Sequence, residues 1–158
     1  MSSSGNVGAA VARVAKAGGT RVDPPTLMPA ETILELSGEV VRGRLCIFTD
    51  AAGRELCLRP DLTTPIADRV ASGDMAVDRY YASGPVYRLP PRGSRESVEH
   101  TQVGFEWFGA SGSVEEDAEA VAVALEAAQA GGVKAAEVRF GDVAIYRAVI
   151  NALPLTEQ

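Results

Sequence analysis

The chain is poor in the residues that most often carry metal and redox chemistry. Among its 158 residues are one histidine, two cysteines and one tryptophan, and aromatic residues make up only 6%. A single histidine excludes a zinc site built on three imidazoles. Two cysteines, in a chain without a signal-peptide pattern, favour a reducing compartment, so we expect a cytoplasmic protein.

A long hydrophobic run and a surplus of positive charge are also missing. No stretch of about eighteen apolar residues occurs, so we expect no membrane-spanning helix. The formal net charge of −6 argues against a broad nucleic-acid-binding surface. The hydrophobic share of 46% is ordinary for a globular protein, and the length suits one core. We therefore expect a single domain over residues 1–158, with residues 1–5 disordered.

Hydrophobic spacing and turn residues predict an α+β fold with a mainly antiparallel sheet flanked by helices. The predicted helices cover residues 6–17, 30–36, a segment from residue 63, residues 114–130 and a segment after Asp142. The predicted strands cover residues 44–49, 54–59, 80–88, 97–108 and 137–140. Gly84-Pro85 is expected to break the third of these strands, and the proline-rich residues 21–29 are expected to form an extended segment that cannot sit inside a sheet.

Two helices carry apolar faces that we expect to be buried. The helix over residues 114–130 is capped by Ser113 and Glu116 in a capping-box pattern. Its predicted buried positions are Ala118, Val121, Ala122, Leu125 and Ala128. The last helix carries Val143, Tyr146, Val149, Ile150 and Leu153 on one face.

The two cysteines lie on the arms of one predicted hairpin. A four-residue loop over residues 50–53 would pair residue 49 with residue 54, and therefore Cys46 with Cys57. Two buried free thiols are the ordinary interpretation in a reducing compartment. An oxidisable pair is the alternative that this register leaves open.

The strand over residues 97–108 carries polar residues on one face. Alternation places Thr101, Val103, Phe105 and Trp107 on a core face and His100, Gln102, Gly104 and Glu106 on the other. Gly104 leaves a notch between an amide and a carboxylate, which suits a small ligand with an ammonium or imidazole N–H. A solvent-facing side of an antiparallel sheet would give the same pattern.

Two further segments add charged groups to this polar face. Arg59, Asp61 and Thr63 share one parity in "RPDLTTP", and Arg88 ends "GPVYR". A guanidinium holds a carboxylate with two parallel hydrogen bonds. One cation with several acceptors matches the two ends of an amino acid: Arg88 for the carboxylate, and the acidic residues for the ammonium.

The order of these motifs resembles the catalytic core of the class II histidyl-tRNA synthetases. In that family an Arg-Pro-Glu-Gly-Thr segment precedes a strand ending in Phe-Arg, and a Gln-x-Gly-x-Glu strand follows. The chain is still more similar to a non-catalytic branch, the regulatory subunits of ATP phosphoribosyltransferase. That similarity covers residues 10–155 and includes "DPPTLMPAETILELSGE", "DAAGRELCLRPDLTTPIA" and "GDVAIYRAVINAL".

The resemblance implies a histidine-binding site without catalytic residues, cofactor or metal. The implied ligand-binding residues are Asp61, Thr63, Arg88, Gln102 and Glu106, with Gly104 and His100 lining the notch. It also implies a regulatory subunit that confers activity and histidine feedback inhibition on a short-form catalytic subunit in the first step of histidine biosynthesis. Self-association through residues 7–29 is implied as well; the alternative is that the prolines of this segment only route a surface loop.

Departures from the synthetase pattern decide between the regulatory and the enzymatic interpretation. Pro90 stands where active synthetases carry an ATP-positioning glutamate two residues after the motif 2 arginine. Proline neither ionises nor donates a hydrogen bond, so we expect no adenylation activity. The alternatives are a histidyl-tRNA synthetase-like enzyme and an inactive fragment of either protein. Family members continue past "ALPL", so the resemblance implies a truncated class II fold.

Overall fold

A computed structural model describes residues 6–153 of the chain, so the expected disorder of residues 1–5 lies outside the described residues. The elements in chain order are α1 (Val7–Lys16), β1 (Thr20–Arg21), β2 (Leu27–Pro29), α2 (Ala30–Ser37), a 3-10 helix (Glu39–Arg44), β3 (Ile47–Thr49), β4 (Glu55–Leu58), α3 (Thr63–Ala71), β5 (Arg79–Tyr87), β6 (Glu99–Trp107), α4 (Val114–Ala130) and α5 (Val143–Ala152). None of the helices within residues 6–153 is long and apolar enough to cross a membrane.

The strands form two small sheets, each of three strands. One has the order β1-β5-β6, and the other has the order β2-β4-β3. The long β5–β6 pair and both pairs of the second sheet are antiparallel, whereas β1 runs parallel to β5. The predicted α+β class with mainly antiparallel pairing is therefore confirmed, but its strands are divided between two sheets.

Helices cover both faces of the β5–β6 pair. On one face Leu62 and Ile66 pack with Tyr80, Ala82 and Val86, which brings the start of α3 against the sheet. The opposite face packs against α1 and α4. Its cluster contains Val14, Val123 and Ala127, with Val103 and Phe105 against them. Adjacent residues of β5, Tyr80 and Tyr81, therefore enter two different clusters. On the even-numbered face of β6 the Glu106 side chain contacts Thr63 of α3.

The proline-rich segment is extended, as predicted, but it contributes an edge strand to each sheet. β1 pairs with β5 at two positions, and β2 pairs with β4 from Leu27 to Pro29. Both strands lie at sheet edges. An edge strand needs hydrogen bonds on one side only, which is why prolines are tolerated there.

Gly84-Pro85 does not interrupt β5, which was predicted to break there. Pro85 lies opposite Thr101 in an unbroken register. The Arg88 N–H donates to the Val98 carbonyl at 2.9 Å, so hydrogen-bonded pairs fall on even-numbered residues of β5. The missing N–H of Pro85 therefore faces away from β6, and the strand loses no ladder hydrogen bond.

The hairpin register differs by one residue from the prediction. Ile47, rather than Cys46, lies opposite Cys57, and Thr49 lies opposite Glu55. The reason is the turn: Asp50 and Arg54 form its last hydrogen bond, and Gly53 has a φ of 83°. The loop therefore contains three residues, 51–53, one fewer than predicted, and its left-handed glycine lets residue 50 pair with residue 54, which shifts the register by one.

The C-terminal elements bury less apolar surface than predicted. The capping box of α4 is confirmed, but its buried residues are Val123 and Ala127, and Ala118 and Ala122 are exposed. The packing partners, α1 and the β6 residues Val103 and Phe105, select this face, which the alanine-rich sequence could not distinguish. Residues 137–140 form no strand, and α5 forms with its Asp142 cap but has no buried residue.

The observed register predicts that both cysteines remain free thiols. Adjacent ladder positions send Cys46 and Cys57 to opposite faces of the hairpin, and burial raises the pKa of each thiol, so the reactive thiolate is disfavoured. A thiol titration of the denatured protein, prepared without reductant, is expected to find two free thiols. A Cys46→Ser variant should leave one. Quantitative recovery of a disulfide-linked monomer would contradict this prediction.

Candidate functional site

The candidate site is built where β4 ends and α3 begins against β6. The Asp61 side chain accepts a hydrogen bond from the Thr64 N–H at 2.7 Å, which anchors the first turn of α3. This turn directs Thr63 toward β6, where its hydroxyl donates to the Glu106 Oε1 at 2.7 Å. Asp61, Thr63 and Glu106, which are far apart in sequence, therefore belong to one cluster.

Glu106 is a partly buried carboxyl whose ionised form is disfavoured. Burial raises the pKa of Glu106 above its usual range, the Thr63 hydrogen bond opposes this, and the negative charge of Asp61 raises the pKa further. Two carboxyls so close together leave an unbalanced negative potential when both ionise. A bound cation, such as an ammonium, would relieve it.

Gln102 presents a buried acceptor without a partner. Its Oε1 accepts no hydrogen bond within the described part of the chain, although the atom is inaccessible to solvent. Such groups are rare and costly, because a buried acceptor loses its bonds to water without replacement. Gly104, two residues on, is buried, and a Cβ added there would lie 3.4 Å from the Glu106 Oε1. The notch predicted between Gln102 and Glu106 is thus narrow and bordered by a carboxylate oxygen.

Arg88 extends from the end of β5 toward the same region. Its Nε donates to the carbonyl of Pro60 at 2.6 Å. The two terminal nitrogens make no further hydrogen bond to residues 6–153, so the end of the guanidinium is available as a fork for a carboxylate. Arg88 and Asp61 line a hollow of about 300 Å³, and Arg88 also lines a second hollow of about 280 Å³ with His100 and Gln102.

The predicted site residues thus fall into two groups that Arg88 joins. Thr63, Glu106 and Gly104 are in contact or within a few ångströms, with Asp61 close enough to affect the Glu106 charge. Arg88, Gln102 and His100 line one hollow, and Arg88 and Asp61 line the other. His100 is exposed at the rim, so it contributes less to a binding surface than the other predicted residues.

Sequence reasoning missed the part played by Arg59 and Pro60. Arg59 was noted only for its parity with Asp61, yet its side chain is buried, and the Pro60 carbonyl holds Arg88. An arginine followed by proline at the end of a strand was the available signal. No pattern in the sequence indicated which carbonyl groups it would contact.

Metal-ligating residues do not cluster in the described structure. Within residues 6–153 no three histidine, cysteine, aspartate or glutamate side chains are placed to hold one ion. The donor set of the site is instead two carboxyls, one amide and one guanidinium, which suits an organic ligand carrying both charges.

The fold is that of a class II tRNA synthetase-like protein. A crystal structure described as an ATP phosphoribosyltransferase regulatory subunit/histidyl-tRNA synthetase from Bacillus halodurans matches with a TM-score of 0.68 and 30% identity over 80% of the chain. A pyrrolysyl-tRNA synthetase from Desulfitobacterium hafniense matches at a TM-score of 0.64 over 84% of the chain; its 18% identity supports the fold alone. The sequence profile of the histidyl-tRNA synthetase family matches residues 6–158, and the chain belongs to that family.

Curated relatives carry the name of the regulatory branch. The ATP phosphoribosyltransferase regulatory subunit of Rhizobium rhizogenes is 35% identical over 138 residues, which is 85% of this chain. The chain spans 36% of that relative's length and 33% of the Bacillus halodurans chain. The resemblance expected from the motifs is thereby confirmed at the level of the family and of its named relatives.

The position of Glu106 generates a test of the site's electrostatics. Because the folded protein binds the Glu106 proton more tightly than the unfolded chain does, its contribution to stability falls as pH rises from the ordinary glutamate pKa through the raised one. Glu106→Gln removes the charge and keeps an acceptor for Thr63. We expect it to raise Tm at pH 8 and to have little effect near pH 4.

Glu99→Gln is the matched control, because Glu99 lies on the same strand with an exposed side chain. It should shift Tm equally at both pH values. A Glu106→Gln variant that is less stable than the wild type at pH 8 would contradict the interpretation of Glu106 as a buried, costly charge.

Proposed function

We propose that the protein serves as a non-catalytic regulatory subunit of ATP phosphoribosyltransferase and that its site binds histidine. The observation that carries the ligand proposal is the buried, unpartnered Gln102 Oε1 on the strand face that also carries the Glu106 carboxyl. The Gln102 Oε1 has no donor among the described residues, and the Glu106 carboxyl has only the Thr63 hydroxyl. The ammonium and ring N–H groups of histidine are donors of this kind.

Charge complementarity gives the ligand an orientation. The Arg88 Nε is held by the Pro60 carbonyl and its terminal nitrogens make no bond to the described residues, whereas the Asp61 and Glu106 carboxyls bond to the first turn of α3. An amino acid places its carboxylate and its ammonium on opposite sides of one carbon. We infer that Arg88 binds the carboxylate and that Asp61, Thr63 and Glu106 surround the ammonium or the ring, with Gln102 as a further acceptor.

The regulatory role rests on the named relatives and on Pro90. Relatives named as ATP phosphoribosyltransferase regulatory subunits supply the catalytic subunit as the proposed partner. Histidine binding would then bias the assembly between active and inhibited states, which is how a ligand of one subunit regulates another. Feedback inhibition, activation of the short-form catalytic subunit and self-association through residues 7–29 are parts of this proposal.

Calorimetry with histidine and its analogues tests the ligand and its orientation together. We expect the protein to bind histidine more tightly than other amino acids, and to bind histidinol, which lacks the carboxylate, less tightly. Arg88→Gln should weaken histidine binding by roughly 10- to 150-fold, the worth of charged hydrogen bonds. It should leave histidinol binding nearly unchanged. Arg92→Gln, in an exposed loop, is the control.

Two outcomes would reject the proposal. Binding that shows no preference for histidine, together with no association with the catalytic subunit in size-exclusion chromatography, would reject the regulatory role. A histidine-dependent exchange of pyrophosphate into ATP would instead support amino-acid activation, the alternative that membership of the synthetase family favours. Pro90, which provides no ionisable group, leads us to expect no such exchange.

A further inference from the structure

Arg59 is a buried cation that neither the relatives' names nor the motif comparison assigns to the site. Arg59 is only 3% exposed to solvent. Among the described residues no carboxylate lies within ion-pair distance of it: the ion pairs of arginine involve Arg13, Arg42, Arg54, Arg79 and Arg139. Its partners are backbone carbonyls instead. Nη1 donates to the carbonyl of Pro24, and Nε donates to the carbonyl of Pro85 at 2.9 Å.

These carbonyls need Arg59 because no strand reaches them. β1 pairs with β5 only at Tyr80 and Tyr81, so the outer edge of β5 beyond that point has no neighbouring strand. Arg59 takes the place of a neighbouring strand at this edge. Its carbonyl accepts from the Tyr87 N–H at 3.0 Å, its side chain satisfies Pro85, and its own N–H donates to Thr26 at 2.9 Å.

The guanidinium also lies against the floor of the candidate site. A Cβ added to Gly84 would come within 2.7 Å of the Arg59 Nη2. Gly84 is the cross-strand partner of Gln102, and residues opposite each other project from the same face of a sheet. Arg59 therefore lies on the face that carries the buried amide.

The backbone connects Arg59 to the other half of the site. The next residue, Pro60, holds the Nε of Arg88 through its carbonyl at 2.6 Å. Asp61 and Thr63 follow within the same short segment and contact α3 and Glu106. One buried side chain thus anchors a segment that carries or contacts Arg88, Asp61, Thr63 and Glu106.

We propose that Arg59 is the positioning residue of the ligand site: by bridging the Pro24 and Pro85 carbonyls over Gly84, it sets the distance between the Arg88 fork and the Gln102–Glu106 notch. It touches no ligand itself. This inference rests on the proposed function, because the consequence of mispositioning is weaker binding of histidine. Lysine cannot replace Arg59 in this role, because an ammonium lacks the planar fork that reaches two carbonyls in fixed directions.

The first test is Arg59→Lys, with Arg54→Lys as the matched control. Arg54 lies at the tip of the same hairpin and is largely exposed. We expect Arg59→Lys to weaken histidine binding about tenfold or more and to shift the NMR resonance of the Arg88 Nε–H, which reports the Pro60 hydrogen bond. Arg54→Lys should do neither. Wild-type affinity and an unmoved Arg88 resonance in Arg59→Lys would overturn the proposal.

The second test displaces the guanidinium without removing it. Gly84→Ala puts a methyl group where Nη2 lies, whereas Gly141→Ala adds one in open space. We expect Gly84→Ala to weaken histidine binding and to shift the Arg88 Nε–H resonance, with Gly141→Ala silent in both. The loss from Gly84→Ala should be smaller in the Arg59→Lys background, because the clash is then absent. Full additivity of the two changes would reject the contact as the cause.

The outcomes separate this inference from the proposed function. If the wild-type protein does not prefer histidine, the proposed function fails, and the Arg88 resonance in the variants still decides whether Arg59 sets its position. If the wild type binds histidine, reciprocity requires histidine to slow hydrogen exchange at the Arg59 Nε–H. Unchanged hydrogen exchange at the Arg59 Nε–H would overturn the positioning role. Failure of both Arg59→Lys and Gly84→Ala to fold would also overturn it, since Arg59 would then support the fold as a whole.

Discussion

The junction between the two sheets is the constraint on which the rest of the molecule depends. β4 ends at Leu58 in one sheet, and the next residue bonds to the edge of β5 in the other. Arg59 makes this junction with backbone and side chain at once, and it is buried without a carboxylate partner within residues 6–153. Burying a guanidinium is costly unless its donors are satisfied. The geometry of the adjoining segment is therefore held firmly.

The candidate site shows the opposite property, since it keeps groups that reduce stability. A buried acceptor at Gln102 without a partner and a carboxyl at Glu106 with a raised pKa both oppose folding. Folded proteins keep such local conflicts mainly where binding needs them. The firm junction and the unsatisfied site are complementary: the first holds in place the groups that would otherwise relax away from a ligand.

Much of the local structure was predictable because it depends on near neighbours. The caps of α4 and α5 follow from polar side chains next to the helix and were located correctly, and the alternation of β6 was sufficient to bring Gln102, Gly104 and Glu106 to one face. Errors arose where distant partners decide. The Cys46–Cys57 register depended on the conformation of Gly53, and the buried face of α4 depended on α1 and β6. The strand predicted over residues 137–140 does not form, and this segment pairs with no strand among the described residues.

The sequence by itself determined the family, the α+β class and the chemical types at the site, because these depend on residue identity and spacing. It could also indicate that an arginine and several acceptors would face an amino-acid-like ligand. Only the tertiary structure decided how they meet: Arg88 is held by the Pro60 carbonyl, Thr63 bonds Glu106, and Arg59 lies over Gly84. These contacts join segments from two sheets, and their geometry arises from packing that no local pattern encodes.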